Sequence, residues 1–229
     1  MDITFTTARK APTSSTVVAY GVTTEGFEDP SCRTDLTADL ETMNFTAKVG
    51  QVQLLPQGKQ VTAVVGLGSA DQLGADELRI AAAALARATG KYKTVSCDLA
   101  DVSNLPIDEA TRAVVEGIGL ASYQFGYKST KTDSKLAKVI LTGSTSVKAR
   151  TAVEGAVAVL EGVALARDFV NEPGGSLTPA KFANKISRVA KAKGLTVKVM
   201  DEAAIKRARL GGLLGVNRGS THPPRFVEL

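Results

Sequence analysis

The chain has 229 residues, of which 44% are hydrophobic and 22% charged, and it carries a net charge of +5. This is a globular rather than a disordered composition, long enough for one large domain or for one domain and part of another. Its two cysteines, Cys32 and Cys97, form neither a close-spaced metal pair nor a disulfide framework, so they read as reduced thiols.

In chain order, short runs at 2–5, 16–20, 51–55, 60–65, 93–98 and 138–141 read as strands. Most are rich in Val, Ile or Thr and are bounded by Gly, Pro or polar residues. Between them, Leu78, Ala81, Ala82 and Leu85 keep helical spacing in a helix predicted over 75–88, closed by Gly90. A second helix is predicted over 107–123, with Ala113, Val114, Ile118 and Ala121 on one face. Strands separated by helices argue for an α/β domain with a mainly parallel or mixed sheet. The polar stretch 128–135 reads as a solvated loop.

A long helix is predicted over 147–170. It is apolar around most of its circumference, which implies burial on several sides. Glu154, Glu161 and Asp168, seven residues apart, mark its one wet stripe. Such a helix suits a connector between domains or a subunit contact. Lys148, Arg150, Glu154, Glu161, Arg167 and Asp168 interrupt it too often for a membrane span. The N-terminus lacks the apolar core of a signal peptide. The expectation is a cytoplasmic protein with no membrane contact.

A second α/β region follows the break at Pro173-Gly174-Gly175. Thr178 is the expected N-cap and Pro179 the first helical residue. Phe182, Ile186 and Val189 form an apolar face, and Gly194 ends the helix. A strand is expected over 195–200. Asp201 then caps a short helix that Gly211-Gly212 terminates, and 213–216 and 225–229 are expected strands. The residues present do not complete a sheet, so the pattern implies one complete domain and one truncated domain.

Several groups could carry chemistry, and each has a simpler reading. His222 is the single histidine, so a His-rich zinc site is excluded, and its place beside two prolines suggests a loop. No nucleophile elbow and no phosphate-binding loop occur. Gly66-Leu67-Gly68-Ser69-Ala70-Asp71 has the outline of a dinucleotide turn, but Asp71 replaces the third glycine, and a tight strand-to-helix turn fits better. Lys181, Lys185, Arg188 and Lys191 line one helical face, and Lys128, Lys131, Lys135 and Lys138 crowd another region. Both read as solvated faces, with phosphate binding as the functional alternative. The densest carboxylates, Asp201-Glu202 and Glu25/Glu28/Asp29, sit at a helix start and in an N-terminal loop. No metal role is assigned to them.

Four stretches in this order resemble the leucyl aminopeptidase (cytosol aminopeptidase) family: VVGLGSADQLGADELRIAAAALARA at 64–88, EGIGLASYQFGYKST at 116–130, EGVALARDFVNEPGGSLTPAKFA at 161–183 and GGLLGVNRGSTHPPRFVEL at 211–229. The third is the most specific. The resemblance implies a macro-domain-like N-terminal α/β domain with a mixed sheet over 1–145, a connecting helix over 146–171 and the opening of an α/β catalytic domain over 172–229. For the complete enzyme it implies removal of N-terminal amino acids, Leu preferred, from peptide substrates. It also implies two divalent ions (Mn, Zn or Mg) and a homohexamer built as a dimer of trimers. The ions bind the free amine, polarise the scissile carbonyl and activate a water.

The family segments that hold those ions, and the lysine and arginine that assist them, do not occur in these residues. No catalytic, metal-binding or cofactor-binding residue is therefore assigned. The chain alone is expected to bind no metal and to be inactive. Asn171, Pro173, Gly212 and Gly219 match family motif positions, where they are expected to set backbone geometry. Two alternatives stand beside this reading: a DNA-binding regulatory module of a moonlighting aminopeptidase, and an ADP-ribose site suggested by the macro-like fold alone.

Overall fold

The computed structural model describes residues 3–29, 35–126 and 134–229, with the side chains of 35–38 left aside. Cys32, Lys128 and Lys131 lie outside the described residues, as does most of the loop at 128–135. The chain divides into two compact units, Met1–Ala164 and Leu165–Leu229.

The first unit is built on a six-stranded sheet. In chain order its strands are β1 (Thr4–Ala8), β2 (Val17–Thr23), β3 (Val52–Gln57), β4 (Gln60–Gly68), β5 (Thr94–Cys97) and β6 (Lys138–Thr142). The spatial order is β1-β6-β5-β2-β4-β3. All neighbours are parallel except β3 and β4, an antiparallel hairpin closed at Gly58, which takes φ +60°. A two-residue hairpin loop needs a positive φ that glycine supplies without a Cβ clash. Pro56 lies on β3, at the edge of the sheet. The mixed α/β sheet that the strand pattern implied is present.

Side-chain alternation gives β4 two dry faces. Ala63, Val65 and Leu67 point into the main core, with Leu78, Ala81, Ala82 and Leu85 of α3 (Ala75–Thr89) and Ala110, Ala113, Val114 and Ile118 of α4 (Ile107–Ala121). Val64 points the other way, into a smaller cluster with Leu40, Phe45, Ala47 and Leu55. Two short helices, α1 (Thr24–Glu28) and α2 (Asp35–Thr42), belong to that side. Phe27 of α1 meets Phe45 edge to face, with centroids 5.3 Å apart.

Three glycines sit where a side chain would not fit. A Cβ on Gly117 would lie 2.4 Å from the Arg79 carbonyl oxygen, so α3 and α4 touch main chain to main chain. Nearby, Arg79 Nε donates to Glu116 Oε2 at 2.8 Å, tying the same two helices. Two residues on, a Cβ on Gly119 would lie 2.2 Å from Leu160 Cδ1, on α5 (Val147–Asn171). On β4, a Cβ on Gly66 would lie 2.2 Å from the Lys48 carbonyl oxygen.

The long helix differs from its expectation. Only Ala149, Val153, Ala156 and Leu160 are buried, a single stripe, while Val147, Val159 and Val170 are exposed. The apolar residues are arranged all round α5, but within this chain packing covers only one face of it.

The second unit holds α6 (Pro179–Ala192), β7 (Lys198–Met200), α7 (Glu202–Arg207), α8 (Gly211–Val216) and β8 (Phe226–Glu228). β7 and β8 form an antiparallel pair. Thr178 takes the extended N-cap conformation ahead of Pro179, Gly194 follows α6 at φ +79°, and the Asp201 carboxylate accepts from the Ala204 N–H at 2.8 Å. The predicted strand at 213–216 is instead α8, and Gly211-Gly212 opens a helix rather than closing one. Arg209, at φ +55°, turns the chain sharply after α7, and the Leu210 N–H donates back to Ile205 O. The helix then starts at once. Gly90 also departs from expectation: it closes α3 in the right-handed region, at φ −54°.

Gly117→Ala is expected to destabilise the first unit by about 3 kcal/mol, because the obstruction is main chain and cannot rotate away. Urea denaturation followed by circular dichroism checks this; an unchanged midpoint would show that α3 and α4 can separate freely.

Candidate functional site

The segment singled out in the sequence, at the end of α5 and the start of α6, is a tightly bonded turn. An acid near a helix C-terminus meets the negative end of the helix dipole, which is unfavourable unless a cation answers it. Glu172 directly follows α5, and it is buried. Its carboxylate takes an ion pair from Lys185 of α6. Ser176 Oγ donates to Glu172 Oε1 at 3.4 Å and lies 2.9 Å from Pro173 O. The Ser176 and Leu177 N–H groups donate to the same Pro173 carbonyl, at 2.8 and 2.9 Å. Phe169 and Phe182 close the other side edge to face, with centroids 4.9 Å apart. Sequence reasoning named Asn171 and Pro173 here and missed Glu172. The signal that could have found it was an acid placed where the helix dipole opposes it.

Pro173 thus does organise backbone, through a carbonyl that accepts several donors. Gly212 and Gly219 have open space where a Cβ would sit, and neither takes a positive φ. Of the α6 cations, Lys185 is turned to Glu172, while Lys181, Arg188 and Lys191 are exposed.

The other sequence candidates separate. Glu25 accepts from Ser69 Oγ at 2.7 Å and from the Ala70 N–H at 2.9 Å, and these bonds bring its pKa down to about 2. It fastens the turn after β4. The glycines of that turn serve packing rather than a phosphate: Gly66 lies against Lys48 main chain, and Gly68, at φ +79°, donates its N–H to Ala47 O at 2.8 Å. A three-residue 3-10 turn then intervenes before α3.

Asp201 is occupied as a helix cap, and Glu202 pairs with Lys206 at 2.6 Å. His222 is exposed at the rim of a depression of about 360 Å³ that Lys206 and Arg218 also line, and its backbone N–H donates to Ser220 Oγ. Burial pushes the Cys97 thiol up to about 12, so it is no nucleophile at neutral pH. Among the described residues, no group of three His, Cys, Asp or Glu side chains could hold a metal ion.

Asp98 is a carboxylate perturbed in the other direction from Glu25. It follows β5, and its Oδ1 accepts the Gly21 N–H at 2.8 Å, continuing the ladder between β5 and β2 after β5 has ended. Burial raises its pKa to about 6, and nearby Asp101 adds to the rise.

Residues 23–132 match the cytosol aminopeptidase family's N-terminal domain, and residues 164–229 match the same family's catalytic domain. The chain belongs to the cytosol aminopeptidase family. A probable cytosol aminopeptidase of Mycobacterium tuberculosis is 38% identical over 215 residues, 88% of this chain and 41% of that protein. The counterpart from Mycobacterium marinum is 39% identical over 213 residues, 90% of this chain and 40% of its own length. The chain thus spans about two-fifths of these relatives.

Among solved structures, the bottromycin maturation enzyme BotP is similar at 38% identity and TM-score 0.82, over 93% of this chain and 45% of that one. BotP is also known in complex with Mn. A mutant of tomato leucine aminopeptidase has the same fold, at TM-score 0.86 and 23% identity, over 98% of this chain and 50% of its own.

Two outcomes follow for a member of this family with these contacts. Lys185→Met leaves Glu172 buried without its cation. It should cost about 2 kcal/mol, less than for a fully buried pair because Lys185 is partly wet; a thermal melt that does not move would show that the pair contributes nothing. Asp98 holds its proton more tightly folded than unfolded, so its contribution is fullest below pH 3.8 and is lost as pH rises towards 6. Asp98→Asn should therefore match the parent chain near pH 4 and exceed it by about 2 kcal/mol at pH 7.5. A variant less stable than the parent at both pH values would overturn this.

Proposed function

We propose that these residues are the N-terminal part of a leucyl aminopeptidase: a macro-like domain over 1–145, a connecting helix over 146–171 and the opening of the catalytic domain over 172–229. The complete protein removes N-terminal amino acids, Leu preferred, from peptides in the cytoplasm. It works with two divalent ions (Mn, Zn or Mg) and assembles as a homohexamer, a dimer of trimers.

The observation that carries this reading is the pair of family matches in the family's own order, N-terminal domain first and catalytic domain second. The Mn complex of BotP supports Mn among these ions. The division into parts is supported by the unit boundary, which falls inside α5.

The segments that hold the ions in the family do not occur in these residues, so no step of the hydrolysis is assigned to them. Their part is structural. The Glu172–Lys185 ion pair and the Pro173 carbonyl hold the turn through which the chain enters the catalytic domain, and α6 starts from that turn in a fixed direction.

The test is hydrolysis of Leu-p-nitroanilide with and without Mn. The complete protein should turn the substrate over in a metal-dependent way, whereas the 229-residue chain alone should not rise above the buffer rate. Steady metal-dependent turnover by a preparation shown by intact mass to contain only this chain would reject the assignment of roles. An inert complete protein would reject the aminopeptidase reading itself.

A further inference from the structure

The first unit has a cavity that none of these roles uses. It opens between the first turns of α4 and α5, and its volume is about 490 Å³. At Gly119 the two helices touch, with Leu160 filling the space of the absent side chain. Nearer their starts, the Arg112 guanidinium lies over Gly155, with Nη2 3.6 Å from where a Cβ would be. The groove is lined by residues that precede Gly119 and Gly155 on the two helices.

Its lining has three kinds of surface. Asp108 and Glu109, on the first turn of α4, make one acidic wall. Arg112 and Lys148 supply positive charge, from α4 and α5 respectively. Val147 and Ala152 give an apolar strip, and Val147 is 70% exposed. The charges are not spent on one another. Arg112 Nε reaches Glu116 only at 3.9 Å, and no ion pair engages Asp108, Glu109 or Lys148 among the described residues.

An occupant that answers all three surfaces carries an ammonium, a carboxylate and an apolar side chain on one small frame. The volume lies within the range of small-ligand pockets, with room for an amino acid or a dipeptide. We infer that the groove between α4 and α5 binds free apolar amino acids or dipeptides as zwitterions, with the ammonium at Asp108 and Glu109, the carboxylate at Arg112 and Lys148, and the side chain on Val147 and Ala152.

Such molecules are the products of the hydrolysis proposed above. The meaning of the site as a product sensor rests on that reading, but the binding itself does not. Because the charged walls are wet, affinity is expected only in the millimolar range.

The experiment is a 15N-NMR titration of the 229-residue chain with L-leucine and with Leu-Gly, up to about 20 mM. The expected result is saturable shifts confined to amides near 108–112 and 147–152. N-acetyl-leucine and leucinamide, each lacking one charge, should bind about fivefold weaker, and so should the Arg112→Gln and Asp108→Asn variants with leucine. Absent shifts, shifts elsewhere in the chain, or equal binding of N-acetyl-leucine would overturn the site and leave the aminopeptidase reading standing. Binding as described, with a complete protein that hydrolyses no peptide, would keep the site and remove its role as a product sensor.

Discussion

The packing of α3 on α4 at Gly117 sets the geometry of the first unit. Main chain meets main chain there, so the two helices pack at a separation that leaves no room for a Cβ. That separation fixes where α4 lies, and α4 in turn presents Gly119 to Leu160. The dry stripe of α5, from Ala149 to Leu160, is therefore registered against the sheet at second hand. The Arg79–Glu116 bond adds direction to the first of these contacts. Helices α4 and α5 meet again at Gly155, where the Arg112 guanidinium lies over the absent side chain.

Much of this was legible in the sequence because the signals are periodic. The strands 16–20, 60–65, 93–98 and 138–141 came out within a few residues of β2, β4, β5 and β6, since β-branched runs between turn residues have few other uses. The caps at Thr178 and Asp201 were legible because capping is local chemistry. What failed was whatever depended on partners far along the chain. Four residues, Leu213 to Val216, have the apolarity of a strand and too little length to show a period, and the left-handed turn at Arg209 decided the matter. The helices α1 and α2 went unseen for a similar reason: α1 has five residues, and Glu25, read as part of an acidic cluster, is fixed by Ser69 and Ala70, more than 40 positions away.

The candidate site divides in the same way. Family likeness drew attention to Asn171 and Pro173, yet the side chain that holds the turn is Glu172, between them. Its importance comes from Lys185, thirteen residues later, and from burial that no local pattern reveals. The glycines at 66 and 68 show the converse. Their spacing suggested a ligand, and what they admit is the chain's own backbone at Ala47 and Lys48.

Pro56 gives the sheet a sense of direction. β3 is an edge strand, and an edge with every N–H in place is a template for another chain. A proline there removes one donor from the row. A strand approaching β3 from outside would find its ladder interrupted at that step, whereas β1, at the opposite margin, has no proline between Thr4 and Ala8. Lateral growth of the sheet is thus unequal at its two margins, and the choice is written into the backbone rather than into any surface charge.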